Sequence, residues 1–449
     1  MSLWDKIRRL RENSRQDNYI RGRTMRRGDV KYDAYVQILK EELVPAMGCT
    51  EPIALAYAAA KARETLGCMP ERVVIEASGS IIKNVKSVIV PNTDHLKGIP
   101  AAAAAGIVGG KAEKELEVIA EVTPEQIAGM REFLDTKEIK VVHVDNGFTF
   151  EIGVIVYAGD SYAKVRIVNY HTNIILIEKD GQALYSVEVE GEGESGLTDR
   201  SILNLADILE FANTVDVEDV RETLERQIAY NTAISEEGLR GDYGANVGSV
   251  LLDTYGDSIF IRAKAKAAAG SDARMNGCEL PVIINSGSGN QGMTTSLPVI
   301  EYAKELNVGE EKTLRALALA NLVTIHQKTG IGRLSAFCGA VSAGAGAGAG
   351  IAYLLDGSYE AIATTVSNAL ANTSGIVCDG AKASCAAKIA SAVEASLLGY
   401  NMYKRGQKFF GDDGILADDV EDTITNVGRL GRQGMKHTNE EIIKIMVGE

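Results

Sequence analysis

No two cysteines stand in a CxxC spacing anywhere in the 449 residues, which excludes a zinc ribbon and a thioredoxin-type redox pair. Six cysteines (Cys49, Cys68, Cys278, Cys338, Cys378 and Cys385) are too few for a disulfide scaffold in so long a chain. Reduced thiols free for metal or catalytic work, and a cytoplasmic location, are therefore the expectation. Histidine is scarcer still: five dispersed residues argue against a histidine-based metal site. A basic face is also missing. With 47 Lys and Arg against 61 Asp and Glu, the net charge is −14. That argues against non-specific binding to nucleic acid or anionic lipid. Long hydrophobic runs are absent as well. The longest, "IPAAAAAGIVGG" (99–110) and "AVSAGAGAGAGIAYLL" (340–355), are mostly Ala and Gly. Both fall short of the roughly 20 apolar residues of a membrane span. The N-terminal segment is basic but has no apolar core, so it is not a secretory signal, and residues 1–29 read as a poorly ordered extension.

What is present reads as an α+β protein: a strand-rich middle domain and a large helical C-terminal domain. Two helices are expected within 30–68. The first, "YDAYVQILKEELVP", stops at Pro45; the second, "EPIALAYAAAKARETLG", starts with Pro52 in its first turn and ends at Gly67. Cys49 lies in the joint, with Thr50 a candidate cap and Glu51 beside it. Both helices are expected to pack on the helical domain. Residues 69–196 alternate Val, Ile and Tyr with polar residues, as in "ERVVIEASGSI", "IKVVHVD" and "TFEIGVIVYAG". "EKDGQ" reads as a hairpin turn, helices are expected near 99–109 and 124–135, and "EGEGESG" (190–196) as the exit linker. From 197 to 449 helical patterns dominate. Within them "AVSAGAGAGAGIAYLL" reads as a buried helix. Each interior Gly there costs about 1 kcal/mol of helix propensity, so close packing or a nearby site must compensate.

Three regions have residue types that suit chemistry. Cys338, Cys378 and Cys385 sit at loop–helix junctions; three thiolates there suit an iron–sulfur cluster, and on spacing alone buried structural cysteines fit as well. The Gly-rich loop "NSGSGNQGMTTS" follows a short strand, "PVIIN". Its Ser286, Ser288, Asn290 and Gln291, and free backbone N–H groups, suit a carboxylate or phosphate. The same loop is similar to the Asn-bearing loop of pyridoxal-phosphate lyases, with Lys264 and Lys266 as candidate Schiff-base lysines. A polar stretch, 78–100, contains Asn84, Asn92 and Thr93, which suit a small polar ligand or simply a surface loop. His171, His326 and Lys328 read as structural or functional alike.

Several segments together resemble the L-cysteine desulfidase family, which is related to the iron–sulfur L-serine dehydratases. They are "ELVPAMGCTEPIALAYAAA", "SGSIIKNVKSVIVPNT", "KGIPAAAA", "NSGSGNQGMTTSLPV", "IGRLSAFCGAVSAGAGAGAGIAYLL" and "GIVCDGAKASCAAK", matched in order from about residue 31 to the end. The resemblance implies a [4Fe–4S] cluster held by Cys338, Cys378 and Cys385, with Cys49 as catalytic base. Cys68 and Cys278 match no assigned position. Asp94–His95 departs from the small residues expected there. Three ligands leave one iron open as a Lewis acid for the substrate. Close backbone approach to the cluster would then explain the Gly-rich helix.

The implied reaction is β-elimination from L-cysteine to pyruvate, ammonia and hydrogen sulfide. L-serine is the nearest rival substrate, a pyridoxal-phosphate lyase the next reading, and a non-enzymatic cluster-bearing sensor a third. Cys49, just before a helix N-terminus, is suited to a thiolate, while Glu51 opposes one, so either is a candidate base. The expected partner is a small amino acid; a homodimer is a default expectation.

Overall fold

The computed structural model describes residues 25–189 and 197–447. The expected extension 1–29 lies outside them as far as residue 24, and so does the expected linker 190–196. The chain is an α+β protein, and its elements follow in order. Helix α1 (Val30–Glu42), strand β1 (Pro45–Met47) and helix α2 (Thr50–Leu66) come first. Next are β2 (Arg72–Ala77), α3 (Gly79–Val85), α4 (Gly98–Gly109), α5 (Pro124–Thr136) and β3 (Glu138–His143). Strands β4 (Glu151–Ala158), β5 (Ser161–Val168), β6 (Ile174–Lys179) and β7 (Gln182–Ser186) complete the sheet. The helical part holds α6 (Leu205–Thr214), α7 (Arg221–Arg240), α8 (Val247–Tyr255) and α9 (Ile259–Met275). After β8 (Pro281–Ile283) come α10 (Gly289–Glu305), α11 (Glu310–Ile331) and α12 (Gly339–Leu355). The chain ends with α13 (Tyr359–Thr373), α14 (Cys385–Lys404), α15 (Val420–Arg429) and α16 (Lys436–Val447).

The sheet order is β3-β2-β4-β5-β6-β7, with β2 and β3 parallel and the other pairs antiparallel. Alternation makes it: Val73, Ile75 and Ala77 of β2 are fully buried, and the residues between them are not. The "EKDGQ" turn is the expected hairpin. Asp180 and Gly181 both have positive φ, and Lys179 pairs with Gln182. Helix α5 opens with a capping box between Thr123 and Gln126.

The two N-terminal helices separate. Helix α1 lies on the helical part, where Tyr32 and Tyr35 stand edge-on to Phe211 of α6 at 5.5 and 5.4 Å. Helix α2 was expected there too; it packs instead on β4, β5 and β6, with α4 against its side. The reason is its small-residue face: a Cβ on Gly106 of α4 would fall 2.1 Å from the Ala56 carbonyl oxygen. The stretch 78–100, read as one polar loop, folds into α3 in its first part.

Helix α12 is the centre of the helical part, with α10, α11, α13 and α14 around it. Of the two readings of its glycines, close packing is the one the contacts fit, rather than approach to a cluster. A Cβ on Gly344 would meet the Ala392 backbone of α14 at 2.7 Å. One on Gly346 would meet Thr324 Oγ1 of α11 at 2.1 Å, and one on Gly350 the Val299 side chain of α10 at 2.8 Å. The glycines let four helices close on one axis, and that packing offsets their propensity cost.

Strands β1 and β8 form a separate antiparallel pair, with Pro45 opposite Ile283. This small ladder sets the Cys49 turn beside the Gly-rich loop, across about 240 residues of sequence, and it positions the site.

Candidate active site

Cys49 is the N-cap residue of α2 in extended backbone, and Thr50 is its first helical residue. Thr50 therefore does not cap the helix; its hydroxyl donates to the Gly287 carbonyl at 2.8 Å. That bond ties α2 to the Gly-rich loop. The loop is a tight turn: Ser288 N–H donates to Asn285 O at 3.1 Å, and both Ser286 (φ 49°) and Gly287 (φ 80°) are left-handed. A Cβ on Gly287 would lie 2.9 Å from the His171 ring and 3.2 Å from Arg333 Nη1, so only glycine leaves room. Ser286 Oγ donates to Asn285 Oδ1, and Ser288 is the residue from which α10 starts.

Cys49 and Glu51 form a buried pair. Cys49 Sγ donates to Glu51 Oε2 at 3.0 Å and Asn84 Nδ2 donates to Oε1 at 3.0 Å; the Thr50 hydroxyl, whose one proton goes to Gly287, stands 3.2 Å from the same Oε2. Burial and the Glu51 carboxylate push the Cys49 thiol well up, against the pull of Arg274. The expected thiolate is thus not the resting form, because desolvation outweighs the helix N-terminus. Burial alone would raise Glu51, yet its carboxyl is held below the ordinary range by the Cys49 bond and Arg274. A charged His171 would lower Glu51 most of all, but His171 is itself driven down to about 4 by burial and by Arg333 and Arg274. A neutral His171 beside an ionised, hydrogen-bonded Glu51 is the consistent state. At rest the proton sits on sulfur and the charge on Glu51.

Arg274 is the residue that sequence reasoning missed. It lies in the last turn of α9, 2% exposed. Its Nη1 donates to Asn290 Oδ1 at 3.1 Å. Its neighbour Met275 packs with Cys49, Val88 and Cys385. Nothing in "SDARMNG" marks it except a charged residue in an otherwise Ala-rich buried helix. Gln291 lies across the loop, its amide within 2.8 Å of where a Cβ on Gly339 would stand, and so next to Cys338. Asn92 and Thr93 are not drawn in. Asn92 Nδ2 donates to Ile119 O at 2.8 Å, tying its loop to the segment after α4, and Thr93 Oγ1 donates to Val90 O at 2.6 Å within its own loop.

Cys338 and Cys378 lie on two crossing loops, with Cys385 seven residues beyond the second. Phe337 and Val377 form an antiparallel bridge; Cys338 N–H donates to Ile376 O and Cys378 N–H to Ala336 O. Cys338 is the N-cap of α12, and Cys385 is the first residue of α14. Burial, Cys378 and Cys385 push the Cys338 thiol up to about 12. Burial and Cys378 also raise Cys385. Cys338 and Cys385 each interact by charge with Cys378, which sets the three thiols in one neighbourhood. Cations surround them. Lys388 bonds the Val377 carbonyl and pairs with Asp379, and Lys83 Nζ donates to Cys378 O at 3.2 Å. Lys328 is buried and brought down to about 8 by burial, with Cys378 and Cys338 opposing. Among the described residues no three His, Cys, Asp or Glu groups close on one point tightly enough for a single ion. A four-iron cluster places one thiolate on each of separate irons, so a wider, thiol-only set amid lysines fits such a cluster.

Lys264, the candidate Schiff-base lysine, pairs with Glu394 at 2.8 Å. It stands ten residues before Arg274 on α9, roughly 15 Å along the helix at 1.5 Å per residue. The Gly-rich loop is therefore not supplied with it. His326 is bonded to Glu421 at 2.7 Å, away from the thiols. No helix among the described residues is long and apolar enough to cross a membrane.

The model of the serine dehydratase alpha chain family matches residues 113–444. The chain is 60% identical to the UPF0597 protein of Desulfitobacterium hafniense (strain Y51) over 425 residues, covering 95% of this chain and 99% of that protein. It is 56% identical to the UPF0597 protein of Lachnoclostridium phytofermentans over 416 residues (93% and 100%). With that of Treponema denticola it shares 47% over 423 residues (93% and 98%).

Proposed function

The chain belongs to the serine dehydratase alpha chain family, and from that premise we propose that it is a β-elimination lyase acting on a small amino acid. The reading is L-cysteine to pyruvate, ammonia and hydrogen sulfide. The observation that carries it is the buried Cys49–Glu51 pair set against the three-thiol region, with Cys49 and Cys385 in one apolar cluster. A proton-transfer pair beside a metal-binding set is what removal of a weakly acidic Cα proton requires.

Cys338, Cys378 and Cys385 would hold a [4Fe–4S] cluster. When bound, it would supply an iron without a protein thiolate, a Lewis acid for the substrate. The chain's own residues do the rest. Cys49 takes the Cα proton as its own proton passes to Glu51, along the 3.0 Å bond already present. Asn84 holds the Glu51 carboxylate by its other oxygen. As the Cα–H bond breaks, the carbon–carbon double bond of aminoacrylate forms, the Cβ–S bond breaks with its electron pair leaving on hydrosulfide, and the proton gained by Glu51 departs with it as hydrogen sulfide, restoring the pair. Tautomerisation and addition of water then release ammonia and pyruvate. Burial of the pair keeps bulk water from competing for the proton.

The second reading is L-serine, favoured by the description of the matching family. The two substrates differ at one atom, and the same residues serve both. The test is iron and acid-labile sulfide on protein purified without oxygen, followed by pyruvate release from L-cysteine and L-serine. Close to four irons per chain, lost in Cys378→Ser, supports the reading, and the faster substrate names the reaction. Iron-free protein whose activity depends on added pyridoxal phosphate would overturn it.

A further inference from the structure

One buried cation beside the Cys49–Glu51 pair has donors that nothing in the protein uses. Arg274 is 2% exposed, and its one hydrogen bond, to Asn290 Oδ1, engages Nη1. Its Nε and Nη2 are buried and without a hydrogen-bond partner among the described residues. A guanidinium has five N–H donors in a fixed fork, and burying it with donors unmade costs several kcal/mol. The other buried arginine among the described residues, Arg200, is paired with Glu41 and Glu42, and the half-buried Arg333 with Glu42. Arg274 and Glu51 interact by charge, yet no hydrogen bond joins them among the described residues; Glu51 accepts instead from Cys49 and Asn84. The fork is also deliberately accommodated, since a Cβ on Gly289 would fall 2.4 Å from Arg274 Nε.

Acceptors are left over in the same neighbourhood. Asn84 donates its Nδ2 to Glu51 Oε1, which fixes the amide's orientation and leaves Oδ1 buried and unbonded. Gln291 Oε1 is in the same condition one residue beyond Asn290, the partner of Arg274. An unsatisfied cation and an unsatisfied carbonyl oxygen beside the acid–base pair, with a second such oxygen on the adjoining Gly-rich loop, complement a zwitterion. The planar fork matches a carboxylate through two parallel bonds. The carbonyl oxygens match an ammonium group.

We infer that Arg274 is the anchor for the α-carboxylate of a small zwitterionic amino acid, and that Asn84 Oδ1 and Gln291 Oε1 receive its ammonium group. The inference rests on the amino-acid reading above and names the group that orients the Cα–H bond toward Cys49.

The test uses the full chain prepared without oxygen, with iron measured for every sample. Binding of L-alanine, which has no β-leaving group, is compared with binding of L-alanine methyl ester by calorimetry. Turnover of L-cysteine is measured in parallel. Wild-type protein should bind the acid roughly 100-fold more tightly than the ester, as two charge-assisted bonds predict. Arg274→Gln should bring that ratio to within a few fold at unchanged iron content, and Arg274→Lys should restore part of it. Equal binding of acid and ester by the wild type, or an unchanged ratio in Arg274→Gln, overturns the inference. Should Arg274→Gln fail to fold, the wild-type ratio together with Arg274→Lys decides. A strong acid preference dependent on Arg274, with no turnover of any amino acid, would sink the lyase reading and leave the carboxylate anchor standing. Turnover without acid preference would do the reverse.

Discussion

Cys49 stands where a helix N-terminus should favour its thiolate, and the structure makes it a thiol. Burial and the carboxylate two residues on outweigh a dipole worth about 1 kcal/mol. The pair therefore works as a unit. Glu51→Gln and Cys49→Ser should each lower kcat by about 10²–10⁴-fold, the usual range for general acid–base groups. Steady-state pyruvate release at matched iron content checks this; an active Glu51→Gln would remove Glu51 from the proton path. A second residue prediction concerns Asp272, fully buried on α9. Its Oδ2 accepts from Gly248 N–H at 3.0 Å, and burial nonetheless raises its pKa from 3.8 to about 6. The folded state thus holds this proton more tightly than the unfolded chain does. Its contribution to stability is complete below pH 3.8 and lost as pH rises through 6, up to about 3 kcal/mol. Asp272→Asn keeps the acceptor and has no proton to lose. Urea midpoints between pH 4 and 7 should shift against the wild type by that sign: the variant gains relative stability as pH rises.

At the scale of the element, the Gly-rich α12 shows how composition and context compete. Gly-to-Ala in a helix interior normally stabilises by up to about 1 kcal/mol. In Gly346→Ala the new Cβ would stand 2.1 Å from Thr324 Oγ1 and 2.7 Å from the Ala320 carbonyl. Overpacking of this kind costs about 1–3 kcal/mol, so the sign reverses and the variant is destabilised. A lowered urea midpoint at unchanged m-value is the expected readout, and a raised midpoint would refute the packing account. The glycines of α12 were legible as signs of close approach; which neighbour approaches was not. Propensity and periodicity are properties of one segment, whereas Ala392, Thr324 and Val299 come from three other helices.

For the molecule as a whole, the site depends on ties between distant segments. Lys83 Nζ donates to the carbonyls of Ser335 and Cys378 and to Asn439 Oδ1, residues 252–356 positions away. Lys83→Met leaves these carbonyls unpaired, at about 1–3 kcal/mol each for a buried group. Differential scanning calorimetry should show a lower Tm, and iron should be lost faster in the variant than in the wild type. An unchanged Tm would mean that α16 and the Cys378 loop are held by other contacts. The sequence by itself determined the α+β class, the alternating strands, the hairpin at Asp180–Gly181 and the two helices flanking Cys49, because these follow from local periodicity and turn chemistry. It also singled out the cysteines, Glu51, Asn84 and the Gly-rich loop, since scarce residue types in unusual settings stand out along a chain. Only the tertiary structure decided that β1 pairs with β8, that α2 leaves the helical part for the sheet, and that Asn92 and Thr93 bond to backbone carbonyls at Ile119 and Val90. It alone singled out Arg274, an ordinary residue in sequence. A charge becomes significant through what surrounds it, and the groups around Arg274 come from α2, α3 and α10, brought together by packing rather than by proximity along the chain.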